Sequence, residues 1–263
     1  MLLNLIFFNR KGGTAKSSSS VNIAACLAKE HKKKVLVVDL DSQINATNYL
    51  MTYTEQKPAK NISDFLGGEK LKECICPVYT RFARKTIKTG ISLMPGDVNM
   101  DIIEIPDNSV FKRIKSEGKF DFCIFDCPAN ITEATIAALC ASDYVLIPIL
   151  ADMDSLSGYG LMIDTIQDVR RTDNVGLKIL GAFYSNVVPT HSLDAFIMEE
   201  NAKTLKNSVF ETTIRTSTIV PQARFDGRPL VYCANKAAVT NDYRKLVKEI
   251  LNRISKDRKG GNL

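Results

Sequence analysis

Residues 2–30 set a short apolar run, LLNLIFF, directly before a turn of glycine and small polar residues, NRKGGTAKSS, and follow it with a long helix-compatible stretch. A strand feeding a helix through such a turn is a narrow solution. Glycines let backbone N–H groups approach an anion closely, and the helix N-terminus adds partial positive charge. The carboxyl edge of a parallel sheet is where this arrangement holds a ligand. The rest of the chain keeps the same alternation. Apolar runs at Leu2–Phe8, Val35–Asp39, Ile91–Met94, Phe122–Asp126, Tyr144–Ile149 and Leu177–Asn186 read as strands, rich in Ile, Val, Leu and Phe as strands covered on both faces should be. Between them, Lys16–Glu30, Ser109–Glu117, Thr132–Ala141, Ser155–Arg171, Ser192–Leu205 and Lys236–Lys256 read as helices. Repeated βαβ units predict an α/β fold in three layers, α/β/α, with a mostly parallel twisted sheet between helices. One domain over residues 1–263 is the simplest division, with a charged, glycine-containing tail at 257–263 expected to fray.

Composition narrows the class. No run approaches the roughly 20 apolar residues that span a bilayer. The apolar start lacks a basic segment before it and leads into the glycine turn, which argues against a signal peptide. Seven cysteines, with only a C-x-C pair at Cys74 and Cys76 and two histidines, do not make a zinc pattern, so reduced core cysteines of a cytoplasmic protein are expected. A net charge of +6 permits contact with polyanions without specifying one.

Three segments carry chemistry. In the turn, the backbone of Gly12, Gly13, Thr14 and Ala15 would cradle phosphate, Lys16 would neutralise β/γ-phosphate charge, and the Ser17 hydroxyl would ligate Mg²⁺, with Ser18 behind it. The standard G-x-x-x-x-G-K-[ST] pattern fails, because Arg10 and Ala15 stand at its two glycines. The second segment, KVLVVDLDSQINAT, ends a strand with Asp39 and Asp41 two residues apart, which puts both carboxylates on one side of the strand tip. The third, FDFCIFDCP, ends a strand in Asp126, a position suited to holding Mg²⁺ coordination.

Together these segments resemble the ParA/MinD (SIMIBI) family of P-loop ATPases, whose deviant phosphate loop reads K-G-G-x-G-K-[ST]-[ST], and within it the ParA/Soj-type partition ATPases. The second segment is similar to the family's D-x-D-P-Q-G-N-x-T, with Ser42 for Pro and Ile44 for Gly, and the third to D-[CA]-P-P, with Ala129 at the last Pro. The runs Thr132–Pro148, Asp152–Gly158 and Thr213–Pro229 also resemble the family, so the likeness covers nearly the whole chain. The resemblance implies that Lys11 reaches the nucleotide of a partner subunit, that Asp41 orients the attacking water with Gln43 near the catalytic centre, that Asp39 supports the Mg²⁺ shell, and that Asn186 contacts adenine. Ala15 departs from a family glycine, and a site there with φ above zero would strain it.

The function the resemblance implies is an ATP- and Mg²⁺-dependent switch for plasmid or chromosome partition. It would be a homodimer in ATP, hydrolyse slowly, respond to a ParB-type partner and bind DNA without sequence readout, as a cytoplasmic, nucleoid-associated protein. Arg215, Arg244, Lys245, Lys248, Arg253 and Lys256 are candidates for phosphate-backbone contact. A MinD-like membrane role is the alternative, because Tyr243, Leu246, Val247, Ile250, Leu251 and Ile254 form an apolar stripe between basic residues. The bland reading of that stripe, packing on the fold, is preferred, and membrane contact is not expected. A third class, metabolic enzymes on the same fold, lacks any substrate motif or paired cluster cysteines in this chain.

Overall fold

The apolar runs become strands because each is covered on both faces. A computed structural model describes residues 2–55, 57–152, 157–205 and 208–260. Element order is β1 (Leu3–Phe7), α1 (Lys16–Lys29), β2 (Val35–Asp39), α2 (Asn45–Leu50), α3 (Ile62–Leu66), β3 (Cys76–Phe82), β4 (Lys85–Met94), α4 (Arg113–Glu117), β5 (Phe122–Asp126), α5 (Glu133–Ala141), β6 (Tyr144–Leu150), α6 (Ser157–Thr172), β7 (Lys178–Ser185), α7 (Ser192–Leu205), α8 (Ile219–Phe225), α9 (Leu230–Cys233) and α10 (Ala238–Arg258). Among the described residues, seven strands form one sheet in the order β3-β4-β2-β5-β1-β6-β7. Every neighbouring pair is parallel except β3 and β4. The fold is therefore the expected three-layer α/β/α arrangement of P-loop proteins.

Alternation along the strands divides the interior in two. Leu3, Leu5 and Phe7 of β1 join the core under α1 and α10, while Ile6 and Phe8 join the core under α5 and α6. Asn4, fully buried in β1, has both its donor groups paired, while its Oδ1 accepts from no group among the described residues. Its Nδ2 donates to the Ala141 carbonyl (2.7 Å) and its backbone N–H to Asp143 (2.7 Å). The apolar stripe of α10 is interior: Tyr243, Leu246, Val247, Ile250 and Ile254 are buried in the same core as Val21, Ala24 and Leu27 of α1. The packing reading of that stripe therefore holds. No described helix is long and apolar enough to cross a membrane.

Several boundaries differ from those read off the sequence. The strand expected at Ile91–Met94 begins at Lys85 and forms a hairpin with β3. Its two-residue turn, Ala83-Arg84, has both φ values positive (47° and 66°). Such turns normally carry Asn-Gly or Asp-Gly, and neither is present, so the hairpin left no signal. The stretch Ser109–Glu117 splits into a 3-10 turn at Val110–Lys112 and α4. Short helices α2, α3, α8 and α9 have too few turns to show periodicity. The tail expected to fray from 257 is instead anchored at its start: α10 runs to Arg258, and Asp257 accepts from Lys178 Nζ (2.7 Å) and Tyr144 Oη (2.8 Å). Residues 155 and 156 of the helix expected at Ser155–Arg171, and 261–263, lie outside the described residues.

Two departures from the family pattern share one backbone conformation. Ala15 (φ 59°, ψ 30°) and Ile44 (φ 46°, ψ 39°) both stand left-handed at the N-caps of α1 and α2. A side chain there costs about 1–2 kcal/mol, more for a β-branched one. Ile44 is accommodated because Gly96 lies beside it: a Cβ on Gly96 would sit 3.0 Å from Ile44 Cγ2 and 3.1 Å from Asp39 Cγ. Urea unfolding of Ala15→Gly is expected to show a gain of roughly 0.5–1 kcal/mol, relief of the left-handed strain less the added freedom of the unfolded chain. Leu246→Ala is expected to lose about 2–5 kcal/mol, as for a buried leucine whose site cannot collapse. A loss under 1 kcal/mol would contradict the interior placement of α10.

Candidate nucleotide site

The carboxyl ends of β1, β2 and β5 meet at one point of the sheet. Asp126 stands in register with Phe7 on one side and Asp39 on the other. Gly12, Gly13, Thr14, Ala15, Lys16, Ser17 and Ser18 wrap over this edge and line an open cleft of about 260 Å³, completed by Asp41, Asn45, Ala129 and Arg224. Gly13 (φ 74°) supplies the left-handed backbone that the loop needs before Ala15 repeats it.

Side chains from distant strands hold the loop. Asn9 is buried; its Oδ1 accepts from Lys11 N–H (2.8 Å) while its Nδ2 donates to the Pro148 carbonyl (2.6 Å). The Ser185 hydroxyl, at the end of β7, donates to the Thr14 carbonyl (3.0 Å), with the Ile149 carbonyl at 3.1 Å as its alternative acceptor. Asn186, left-handed at φ 55°, places Nδ2 3.4 Å from the Gly13 carbonyl. Asn186 thus borders the loop but is absent from the cleft lining. Asn9 and Ser185 carried no assignment in the sequence reading. The available signal was a small polar residue at the tip of an apolar strand, beside the motifs themselves.

The two lysines of the loop take different stations. Lys16 is buried, and its Nζ donates to the Lys11 carbonyl of its own loop at 3.1 Å. Burial lowers its pKa, and the Asp126 and Asp41 carboxylates oppose that shift. The Lys11 side chain is more than a third exposed and outside the cleft lining, its Nζ 2.6 Å from Asp152 Oδ2.

The three carboxylates also differ. Asp39 is fully buried and organises its own loop. Its Oδ2 accepts from Thr47 N–H (2.8 Å) and Thr47 Oγ1 (2.7 Å), and its Oδ1 from Asp41 N–H (3.2 Å). Burial raises its pKa, and the Thr47 hydrogen bonds oppose the rise. Asp126 is fully buried, and among the described residues neither of its oxygens closes a hydrogen bond of good geometry. Burial and the neighbouring Asp39 charge push its pKa upward, and the Ser17 and Ser20 hydroxyls beside it oppose the rise. Asp41 is half-buried in the cleft wall, its Oδ1 accepting from Gln43 N–H (3.0 Å). Gln43 itself is exposed and outside the lining. The edge therefore gathers Lys16, Asp39, Asp41, Asp126 and the Ser17 hydroxyl, with Lys11 at its rim. Arg224, anchored on Asn45 Oδ1 (2.6 Å), enters the lining from α8.

The basic candidates for polyanion contact lie elsewhere and are unequal. Arg215 makes a bidentate pair with Asp242, Nε at 2.6 Å and Nη2 at 2.9 Å. Arg244 pairs with Glu30 (2.7 Å) and donates to the Asn235 carbonyl and to Asn241. Arg253 donates to the Leu180 carbonyl (3.1 Å) and to Glu249 (3.0 Å). Lys245, Lys248 and Lys256 are exposed on α10. The cysteines are free, six buried and Cys233 half-buried, and no group of metal-ligating side chains of the zinc kind occurs among the described residues.

Comparison with known proteins agrees with this geometry. A family model described as an AAA domain (AAA_31) matches residues 4–179. The sporulation initiation inhibitor protein Soj of Bacillus subtilis is 28% identical over 258 residues, covering 92% of this chain and 95% of Soj. The chromosome-partitioning ATPase Soj of Treponema pallidum is 29% identical over 255 residues, covering 95% of this chain and 97% of its own. Among solved structures, cobyrinic acid a,c-diamide synthase from Mycobacterium smegmatis with bound ADP and magnesium superposes with a TM-score of 0.79 at 23% identity, over 100% of this chain and 99% of that one. With the family model matched over well more than half of the chain, a sheet edge of this form and full-length Soj relatives, the chain belongs to the ParA/MinD family of P-loop ATPases.

Proposed function

We propose that this ATPase is a nucleotide-controlled switch for DNA partition: two copies close face to face over ATP, hold DNA in that state, and separate after slow hydrolysis prompted by a ParB-type partner. The observation that carries this reading is the division of labour between the lysines. Lys16 stands buried inside its own loop, whereas Lys11 is partly exposed, paired with Asp152 and absent from the lining of its own cleft. A rim lysine of this kind can serve a phosphate group on an apposed copy. The name of the Treponema pallidum relative, a chromosome-partitioning ATPase, supports the same reading.

Each residue then has a task. Backbone N–H groups of Gly12 to Ser17 and the Lys16 ammonium bind the phosphates. Asp41, in the cleft wall, orients the water that attacks the γ-phosphate. Lys11, once released from Asp152, adds positive charge from the partner copy. Charge stabilisation of this type is the main contribution a protein makes to phosphoryl transfer. Asn186, beside Gly13, is proposed to meet the adenine.

The residues fit a divalent cation. Asp126 is a fully buried carboxylate that closes no well-formed hydrogen bond among the described residues, raised in pKa by burial and by Asp39, which is the environment that a bound Mg²⁺ would relieve. Ser17 and Asp126 would hold it. Asp39, occupied by Thr47 and Asp41 N–H, would act through the charge it places beside Asp126. The cation supplies charge neutralisation across the β- and γ-phosphates.

Two experiments test this. In light scattering with Mg²⁺ and a non-hydrolysable ATP analogue, the unmodified protein is expected to double in mass. Lys11→Ala should stay monomeric yet still bind nucleotide in calorimetry, and Lys16→Ala should lose binding. An unmodified protein whose mass ignores the analogue would refute the switch. Separately, Asp126→Asn is expected to stabilise the nucleotide-free protein against urea by about 1 kcal/mol or more, raising the midpoint, since it removes a carboxyl whose ionised form the interior disfavours, while abolishing ATP turnover. A lower midpoint in the variant would mean that the carboxylate is paired.

A further inference from the structure

The β3–β4 hairpin is the most strongly charged feature that the nucleotide site leaves unexplained. The segment 79–90, YTRFARKTIKTG, holds four cations and no acid. Pairing of β4 with β2 begins at Ile91, so Lys85–Gly90 run past the end of β2. Six strand residues correspond to about 20 Å of ribbon. Because β4 is parallel to β2, this ribbon extends from the edge of the sheet opposite the phosphate loop.

Arg81, Arg84, Lys85 and Lys88 are all exposed, and among the described residues none of them makes an ion pair. Their contrast with Arg215, Arg244 and Arg253 is direct, since those three are committed to carboxylates or carbonyls of the same chain. At the base of the ribbon the connection from α1 to β2, which carries Lys32, Lys33 and Lys34, passes beside β4: a Cβ on Gly90 would lie 3.9 Å from the Lys33 carbonyl. Glu55 lines a cleft of about 290 Å³ together with Tyr53, Pro77, Tyr79 and Thr86 of the hairpin strands and the segment before them.

The ribbon is held rigidly. Phe82 packs edge-on against Tyr232 (6.3 Å between centroids), Lys29 Nζ sits over both rings at 4.5 and 4.7 Å, and Arg228 Nε donates to the Arg81 carbonyl (3.1 Å). Phe82 is 40% exposed, yet its ring is held against Tyr232 and capped by the Lys29 ammonium, so the tip offers four cations around a single pinned ring. Arg84 occupies a left-handed tip position where Gly or Asn would cost less. A rigid, cationic, two-stranded ribbon suits the phosphate rails of a duplex better than a bilayer, which rewards buried apolar area as well as charge.

We propose that the β3–β4 hairpin, through Arg81, Arg84, Lys85 and Lys88, is a contact surface for the phosphate backbone of duplex DNA. The proposal rests on the DNA-binding reading above and locates it. Each chain carries one such ribbon, so a dimer presents two, and their joint engagement raises avidity without any new contact.

The test uses the full chain with Mg²⁺ and a non-hydrolysable ATP analogue. Duplex binding is measured across a salt series for the unmodified protein, for R81Q/R84Q/K85Q/K88Q and for K245Q/K248Q. Each phosphate contact contributes about 0.9 to the slope of log affinity against log salt. The hairpin variant is expected to lose roughly 3 to 4 from the slope per ribbon engaged and at least about tenfold in affinity, with K245Q/K248Q losing less. Acetylation footprinting of the unmodified protein, which needs no variant to fold, is expected to show Lys85 and Lys88 protected by duplex. Equal binding and slope in the hairpin variant, or no protection of these lysines, overturns the assignment. Protection by phosphatidylglycerol vesicles but not by duplex overturns it in favour of a membrane. Absence of duplex binding by the unmodified protein removes the DNA-binding reading itself, a result distinct from a hairpin that binding ignores.

Discussion

Two carboxylates side by side in the interior set the terms for the rest of this molecule. Asp39 and Asp126 end neighbouring parallel strands in register, both without solvent exposure. Burial raises both pKa values, and the charge of Asp39 adds to the rise at Asp126, so the pair stores unfavourable charge. Asp39 is compensated locally by Thr47 and by Asp41 N–H. Asp126 has only the Ser17 and Ser20 hydroxyls to oppose its shift, and it closes no well-formed hydrogen bond among the described residues. The edge is therefore incomplete by itself, and a cation with a polyphosphate is the ligand chemistry that completes it.

Around that pair, the loop is shaped by hydrogen bonds from far along the chain. Asn9 links it to Pro148, and Ser185 links Thr14 to β7. The backbone so imposed is left-handed at Gly13 and again at Ala15. Strain of this kind persists only where surrounding contacts over-determine the conformation. Ile44 repeats the situation in the second motif, made possible by the missing side chain of Gly96. Two substitutions that look damaging in the motif pattern are thus absorbed by the same fold that relatives build with glycine.

Charge is distributed over the surface with similar economy. Several arginines close intramolecular networks: Arg215 on Asp242, Arg244 on Glu30, Arg253 on Glu249. Others stay free on the hairpin. A net charge of +6 conceals this difference, because a sum over the chain cannot separate neutralised cations from available ones. The two charged regions also lie at opposite edges of the sheet, which keeps phosphate chemistry and the hairpin surface apart.

Much was legible in the order of residues alone. The period of the apolar runs gave β2 and β5 to the residue, and chemistry-bearing positions at strand tips marked Lys16, Asp41 and Asp126 as neighbours, because parallel strands bring their carboxyl ends to one edge. What sequence could not supply depended on partners distant in the chain. Nothing local separates Arg215, held by Asp242 27 residues away, from exposed Lys245. The partner of Lys11 is Asp152, 141 residues on. The hairpin turn at Ala83-Arg84 lacked turn residues because its conformation is enforced by strand pairing and by packing on Tyr232, not by local preference. Local periodicity and motif chemistry decide which elements form; only the folded chain decides which charges are neutralised, which stay exposed and which are left buried without a well-formed hydrogen bond.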